Sequence, residues 1–513
     1  MPHRLPLATL PLLVIGLLLA PALAEPAGLT DLETDLWYVV RVGDQRAGYM
    51  RSTFTVDPDT GTAETTTTTR IRVKRGETEI AIEQDSGMTE TLDGDPVAGR
   101  SRMKLGRFSV EQDYLYRDDA ITVISRQLGG TQEMTLPPLK GEFYTPGQAG
   151  LRFAEAEAAG DEELAMRVLD PAAGVQPLAV SFRRVGEAPV EVFGKTVPAT
   201  AWDVTLPISD KPIRQHLDPL GRPVRLTVDV VPGMSFDLVL ADKELATAPV
   251  DAPELLARSL LRPDRLLPNP RETRRVVYEI SLIPEAGAAR VELPETGYQR
   301  VEQLAVGRWE VTVDLGDTVI EPRPSLPRYL ASSTLINHDH PALARLPMPP
   351  DDRDMDRRST AEWLRRQVAR HLEQKDLSVG MATAAEAAQT RQGDCTEHAV
   401  LLTALLRRAG IPARTVTGLI YVTDFLGHAH VMGYHMWTQA WIDTRDDEGF
   451  WQDLDPSLPI PEGPQRIDAP LPGFDAAHVT LRVSALGDPS LTRDLLQIAR
   501  LIGAFDVQIL EAD

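Results

Sequence analysis

Cysteine is almost missing from this chain: 513 residues hold one, Cys395. A lone thiol excludes an internal disulfide framework and every Cys-x-x-Cys redox or zinc site. Basic residues are also in deficit, with 53 Lys and Arg against 75 Asp and Glu and a formal net charge of −22. Polyanionic partners need clustered positive charge, so no nucleic-acid partner is expected; the acidic excess serves solubility. Aromatics make up only 5%, yet hydrophobic residues reach 42%, which argues for a packed, globular chain rather than a disordered one. No internal repeat is visible. A Gly-x-Ser-x-Gly elbow and a His-Glu-x-x-His helix are both missing, so serine-hydrolase and zincin chemistry lack their signatures.

The one long apolar run stands at the start, in "RLPLATLPLLVIGLLLAPALAEPA". Arg4 is a short basic region, and Ala22-Leu23-Ala24 before Glu25 is a small-x-small cleavage pattern. This reads as a secretory signal peptide over 1–24. The alternative, an uncleaved anchor, suffers from Pro6 and Pro11 inside the run. The expected location is periplasmic or secreted, with no integral membrane span after signal removal.

Residues 25–250 carry β patterning. "TRIRVKRGETEIAIEQ" alternates Ile71/Val73, turns at Arg75-Gly76 and alternates Ile80/Ile82, as an antiparallel hairpin does. The threonine run 65–69 suits a strand. This region is expected to form an antiparallel β-rich domain, as a curved sheet or half-barrel. A linker helix and small β module follow over 251–325, with Asp251 and Pro253 at the helix start and strands in "RRVVYEISLIP" and "GRWEVTVDL". From 326 to 470 helices and strands mix. Ser359 with Glu362, and Thr383 with Glu386, have capping-box spacing, and Gly393 suits a helix end. Residues 471–513 read as a C-terminal helix and strand packing on the core or the β region. The fold class is α+β and multidomain.

Cys395 sits in "RQGDCTEHAVLLTALLRRAG". Asp394 and Glu397 form a further capping-box pair, placing Cys395 at the first helical position. Leu402, Leu405, Leu406 and Ala409 mark the apolar face. A structural cysteine would belong on that face. At the helix start, unpaired N–H groups and the dipole favour a thiolate. A nucleophilic thiol needs a base, and the base an orienting acceptor. Downstream, "GYHMWTQAWID" places His435 on one strand face with Trp437, Gln439 and Trp441. "WQDLDPS" then places Asp455 at the end of the next strand. Asp453 shares that face and is the rival.

These three blocks, in this order, resemble the transglutaminase-like core, a branch of the papain-like cysteine enzymes, over roughly 328–470. The resemblance implies an α+β fold with the Cys helix packed on an antiparallel sheet. It assigns Cys395, His435 and Asp455 as nucleophile, base and orienter, acting on amides through a thioester. The relatives often carry an acidic residue two positions past the tryptophan, where this chain has Gln439. Gln389 is a weak candidate for a second oxyanion donor. Trp363 and Trp437 line either the cleft or the core.

Other features read more simply. His428, His430 and His435 in "HAHVMGYH" have no carboxylate at ligand spacing, so no metal site is assigned. His398 suits a capping or solvent role. "DPDTG" (57–61) and "FGKT" (193–196) lack the remaining positions of calcium and phosphate loops and read as turns. The expected function is an exported cysteine-dependent enzyme acting on peptide or side-chain amides, with hydrolysis favoured over amine transfer and no cofactor. Its partners are a protein or peptide substrate and, through the β domain, a cell-envelope component. The alternative is a non-catalytic envelope scaffold with a vestigial core.

Overall fold

The computed structural model describes residues 28–513 apart from 76–77, 106–107, 128–129, 208–210, 232–233, 255–258, 284–290, 350–354, 374–381, 445–446, 460–472 and 487–500. The expected signal peptide, the helix expected after Asp251 and the helix expected from residue 491 fall wholly or mostly outside the described residues. The chain forms two compact units, dividing between Glu254 and Leu255. A large antiparallel β-sheet is thus followed by a mixed α/β region.

Fourteen strands of the first unit make one sheet. Eight strands between Thr34 and Leu136 meander in sequence order, and Thr34–Val42 then pairs with Met234–Ala241, which opens a second meander running back to Glu163–Val168. The threonine run follows the pleat. Thr65, Thr67 and Thr69 are buried, in line with Ala63, Ile71 and Val73, while the residues between them are half-buried or exposed. The helix Pro146–Ala159 starts with proline in its first turn and stops at Gly160, whose φ of 78° suits the left-handed terminator. Its Phe153 ring lies 4.8 Å from Phe182 and 5.1 Å from Trp202, in the second meander. Its Gly147 approaches Phe54 of the first so closely that a Cβ would lie 2.8 Å from the ring. One helix touching both meanders means that the sheet curls around it.

In the second unit the strands are β1 (Arg275–Leu282), β2 (Gln299–Ala305), β3 (Arg308–Asp314), β4 (Glu321–Pro322), β5 (Ala413–Phe425), β6 (His428–Asp443), β7 (Glu448–Leu454), β8 (His478–Ser484) and β9 (Phe505–Ala512). They form two antiparallel sheets, ordered β2-β3-β1-β9 and β4-β7-β6-β5-β8. The sheets share one core: Tyr278, Trp309 and Val311 from the first meet Leu419, Trp437 and Val479 from the second. Nine consecutive residues of β5 are buried, because helices cover the other face of its sheet.

Those helices are α1 (Arg357–His371), α2 (Ala384–Thr390) and α3 (Cys395–Arg408). α1 corrects the expected capping box. Its N-cap is Asp356, whose side chain accepts from the Ser359 N–H, while Glu362 turns to Arg365 and Arg366. The chain enters the helix at Asp356, so Ser359 lies inside the first turn and its N–H goes to the Asp356 carboxylate instead of to Glu362. The Thr383–Glu386 box is present. α2 ends not at Gly393 but at Arg391, with φ 58°. Gly393 is needed for proximity: a Cβ there would lie 2.3 Å from the Glu397 Cβ.

Candidate active site

α3 begins as its sequence dictates. Asp394 accepts from the Thr396 N–H at 2.8 Å, and the Glu397 carboxylate reaches back to the Asp394 N–H at 2.9 Å. Cys395 is the first helical residue and is half-buried. Glu397 is fully enclosed and also accepts from the Ala382 N–H. Burial, followed by the charge of Asp394, pushes its pKa well above the carboxylate range. The helix is seated on β6 through Thr438, whose hydroxyl donates to the Ala399 carbonyl at 3.0 Å.

The register of β6 and β7 gives the two aspartates different neighbours. Thr438 faces Leu454 and Gln439 faces Asp453. Asp453 is therefore four residues along β6 from His435, and it instead accepts from the Trp437 Nε1 and Gln439 Nε2 at 2.8 and 2.9 Å. Burial raises its pKa to about 6 against those two hydrogen bonds. Asp455 lies two residues further on, diagonally across from His435 on the same face. His435 Nε2 donates to Asp455 Oδ2 at 2.7 Å. The other carboxylate oxygen accepts from the backbone N–H and hydroxyl of Ser457 at 2.8 and 2.7 Å. The Asp455 backbone is held too, its N–H by Gly473 O and its carbonyl by the buried Arg365.

Cys395 also bears on His435. Burial alone would lower the imidazole pKa, but the Asp455 carboxylate and then the charge of Cys395, with a hydrogen bond to each, raise it to about 9. Asp455 goes the opposite way: burial opposes its ionisation, yet His435 and a second histidine hold its pKa well below the usual range.

That second histidine, His478, was missed by the sequence reading. Its Nε2 lies 3.2 Å from Asp455 Oδ2 and its Nδ1 2.9 Å from Asp475 Oδ1. Asp475 in turn pairs with Arg271 at 2.8 Å. His478 opens β8, 23 residues past Asp455 and outside any recognisable block. The signal that could have found it is the sequence "DAAH", an Asp three residues before a His.

The remaining candidates sort plainly. Gln389 is exposed on α2 and Trp363 is half-buried. Trp437 is core, fully buried with its N–H on Asp453. His398 is buried, its Nδ1 donating to the Asp394 carbonyl at 2.7 Å, so it reinforces the cap instead of facing solvent. His430 pairs with the Tyr421 hydroxyl. Among the described residues, one ligand atom from each of His435, Asp455 and His478 lies within 4.8 Å of the others. The two His–Asp contacts in this set, at 2.7 and 3.2 Å, are of hydrogen-bond length.

Residues 350–456 match the model of the Transglutaminase-like superfamily. No curated protein matches the chain. Two solved structures are distantly similar. A beta-barrel-like protein of a domain of unknown function from Brucella abortus is 16% identical with a TM-score of 0.31, over 40% of this chain and 95% of that one. A chain described as "a Putative Cysteine Protease from Cytophaga hutchinsonii" is 13% identical with a TM-score of 0.25, over 47% of this chain and 87% of that one. With its one cysteine inside the matched span, the protein carries a transglutaminase-like core at residues 350–456.

Proposed function

We propose that this protein is an exported thiol enzyme that cleaves peptide or side-chain amides, with Cys395 as nucleophile, His435 as acid and base, and Asp455 as orienter. The observation that carries this reading is His435 itself, bound to Asp455 at 2.7 Å by one nitrogen and held against Cys395 at the start of a helix. The thiol proton moves to His435, and the thiolate adds to the substrate carbonyl. The Cys395 N–H, a first-turn donor with no acceptor inside the helix, serves the oxyanion. Collapse breaks the C–N bond, His435 protonates the leaving amine, and a thioester remains. Water, deprotonated by His435, then adds to the thioester and releases the acid and the thiolate. Hydrolysis is favoured over amine transfer because water is the abundant acceptor. The β unit then serves recruitment of substrate or of a cell-envelope partner.

Iodoacetamide tests the reading. The mature protein alkylates rapidly at neutral pH, and His435→Ala slows the reaction by about 10²-fold. A native Cys395 that stays unreactive while the unfolded chain alkylates would sink it. Glutamine peptides with a labelled primary amine separate the two outcomes: ammonia release without label incorporation means hydrolysis.

A further inference from the structure

The hydrogen bonds around Asp455 do not stop at His435. They continue inward through His478 to Asp475 and Arg271, giving an alternation of cation and anion that ends beside the thiol. His478 is fully buried, and both its ring nitrogens face carboxylate oxygens. A neutral imidazole has one N–H and one lone pair, and a lone pair aimed at a carboxylate is repulsive. Only the imidazolium satisfies both neighbours.

We propose that His478 is a positioning residue, an imidazolium at neutral pH that shares the Asp455 carboxylate with His435 and thereby limits how tightly His435 holds its proton. The role rests on the thiol-enzyme reading above. The charged and titratable groups facing His478 are Asp455 after β7, Asp475 just before β8 with Arg271 behind it, and His435 on β6 at 5.8 Å between ring centres. Asp453 at the end of β7 also senses its charge. Phe474, stacked at 4.3 Å, and Trp437, edge-on at 5.2 Å, fill the rest of its surroundings and exclude water.

One oxygen, Oδ2, serves both imidazoles, so each weakens the pull on the other. Without His478 the full carboxylate charge falls on His435, and a like charge 5.8 Å away disappears. Both changes make His435 retain its proton to higher pH. The pKa of His478, raised to about 9 by Asp475 and Asp455 against its burial, agrees with a ring charged at neutrality.

Two measurements on the full chain decide the matter. In the wild type, nitrogen NMR of labelled histidine shows His478 with both ring nitrogens protonated at about pH 7.5, where an ordinary histidine of pKa about 6.5 is neutral; a singly protonated ring overturns the proposal. The second uses iodoacetate, an anion drawn to the imidazolium, so that alkylation of Cys395 falls as His435 loses its proton near pH 9. His478→Gln moves that fall upward by about one pH unit. A purely packing role slows the reaction or lowers stability without moving the fall. An unmoved fall in a reactive variant overturns the role of His478 and leaves the thiol-enzyme reading intact. A wild-type thiol inert to iodoacetate at every pH overturns that reading and this role with it. If His478→Gln does not fold, the wild-type nitrogen spectrum still upholds or overturns the proposal.

Discussion

Asp455 accepts four hydrogen bonds, two on each oxygen, from Ser457 and from two histidines. Each donor stabilises the ionised form, which is how a fully buried carboxylate stays charged. Asp455→Asn removes that charge. The imidazolium of His435 is then left with burial against it, so the alkaline fall of iodoacetate alkylation moves down from about 9 by roughly 1–3 pH units. The expected direction is opposite to that for His478→Gln, so the pair reports the sign of each neighbour. The positions of Cys395, His435 and the Asp453/Asp455 pair were legible because local patterns mark them: a cap, a strand face and the end of the following strand. His478 was not, because its place depends on β8 pairing with β5, where Ile420 faces His478.

The start of helix α3 is specified by four residues, Asp394 to Glu397. Losing the N-cap in Asp394→Ala costs about 1 kcal/mol, a fall of about 2–4 °C in melting temperature for a unit of this size, whereas Asp394→Asn retains the cap and stays near the wild type. Thermal denaturation followed by circular dichroism checks both. Alkylation of Cys395 should slow in the alanine variant, since a frayed first turn no longer presents aligned N–H groups. α1 shows the limit of such reading. A capping box at Ser359 has the right spacing, but the structure uses Asp356, and which acceptor captures the N–H follows from where the chain enters the helix.

At the scale of the second unit, the last strand is part of the foundation. β9 pairs with β1, and Phe505, Val507 and Ile509 are buried in the core shared by the two sheets. Deleting residues 505–513 removes three apolar side chains from that core and should cost roughly 5 kcal/mol, measured by urea unfolding of the truncated chain. Stability should also follow pH. His435 and His478, both raised to about 9, bind protons more tightly when folded. Their contribution is complete below the unfolded value of about 6.5 and lost as pH rises through 9. Asp453, raised to about 6 by burial, acts in the same direction over lower pH. Asp455, depressed, acts oppositely and is lost only as pH falls below the usual carboxylate range. A melting temperature that falls from about pH 6.5 to 9 is expected; a flat profile would count against the charged histidine pair.

What the sequence alone determined is local. Period-two burial in the β region, the caps of α2 and α3, and the residue types and order of Cys395, His435 and Asp455 follow from interactions within a few residues, where propensity and hydrogen bonding act directly. What only the tertiary structure decided is register and pairing across distance. The different neighbours of Asp453 and Asp455 come from the β6–β7 register, the sharing of one core by two sheets from the packing of β1 to β3 on β5 and β6, and the presence of His478 behind Asp455 from β8 pairing with β5. Those outcomes are set by which apolar faces bury together and which buried charges find partners. No stretch of chain contains that information until the rest has folded around it.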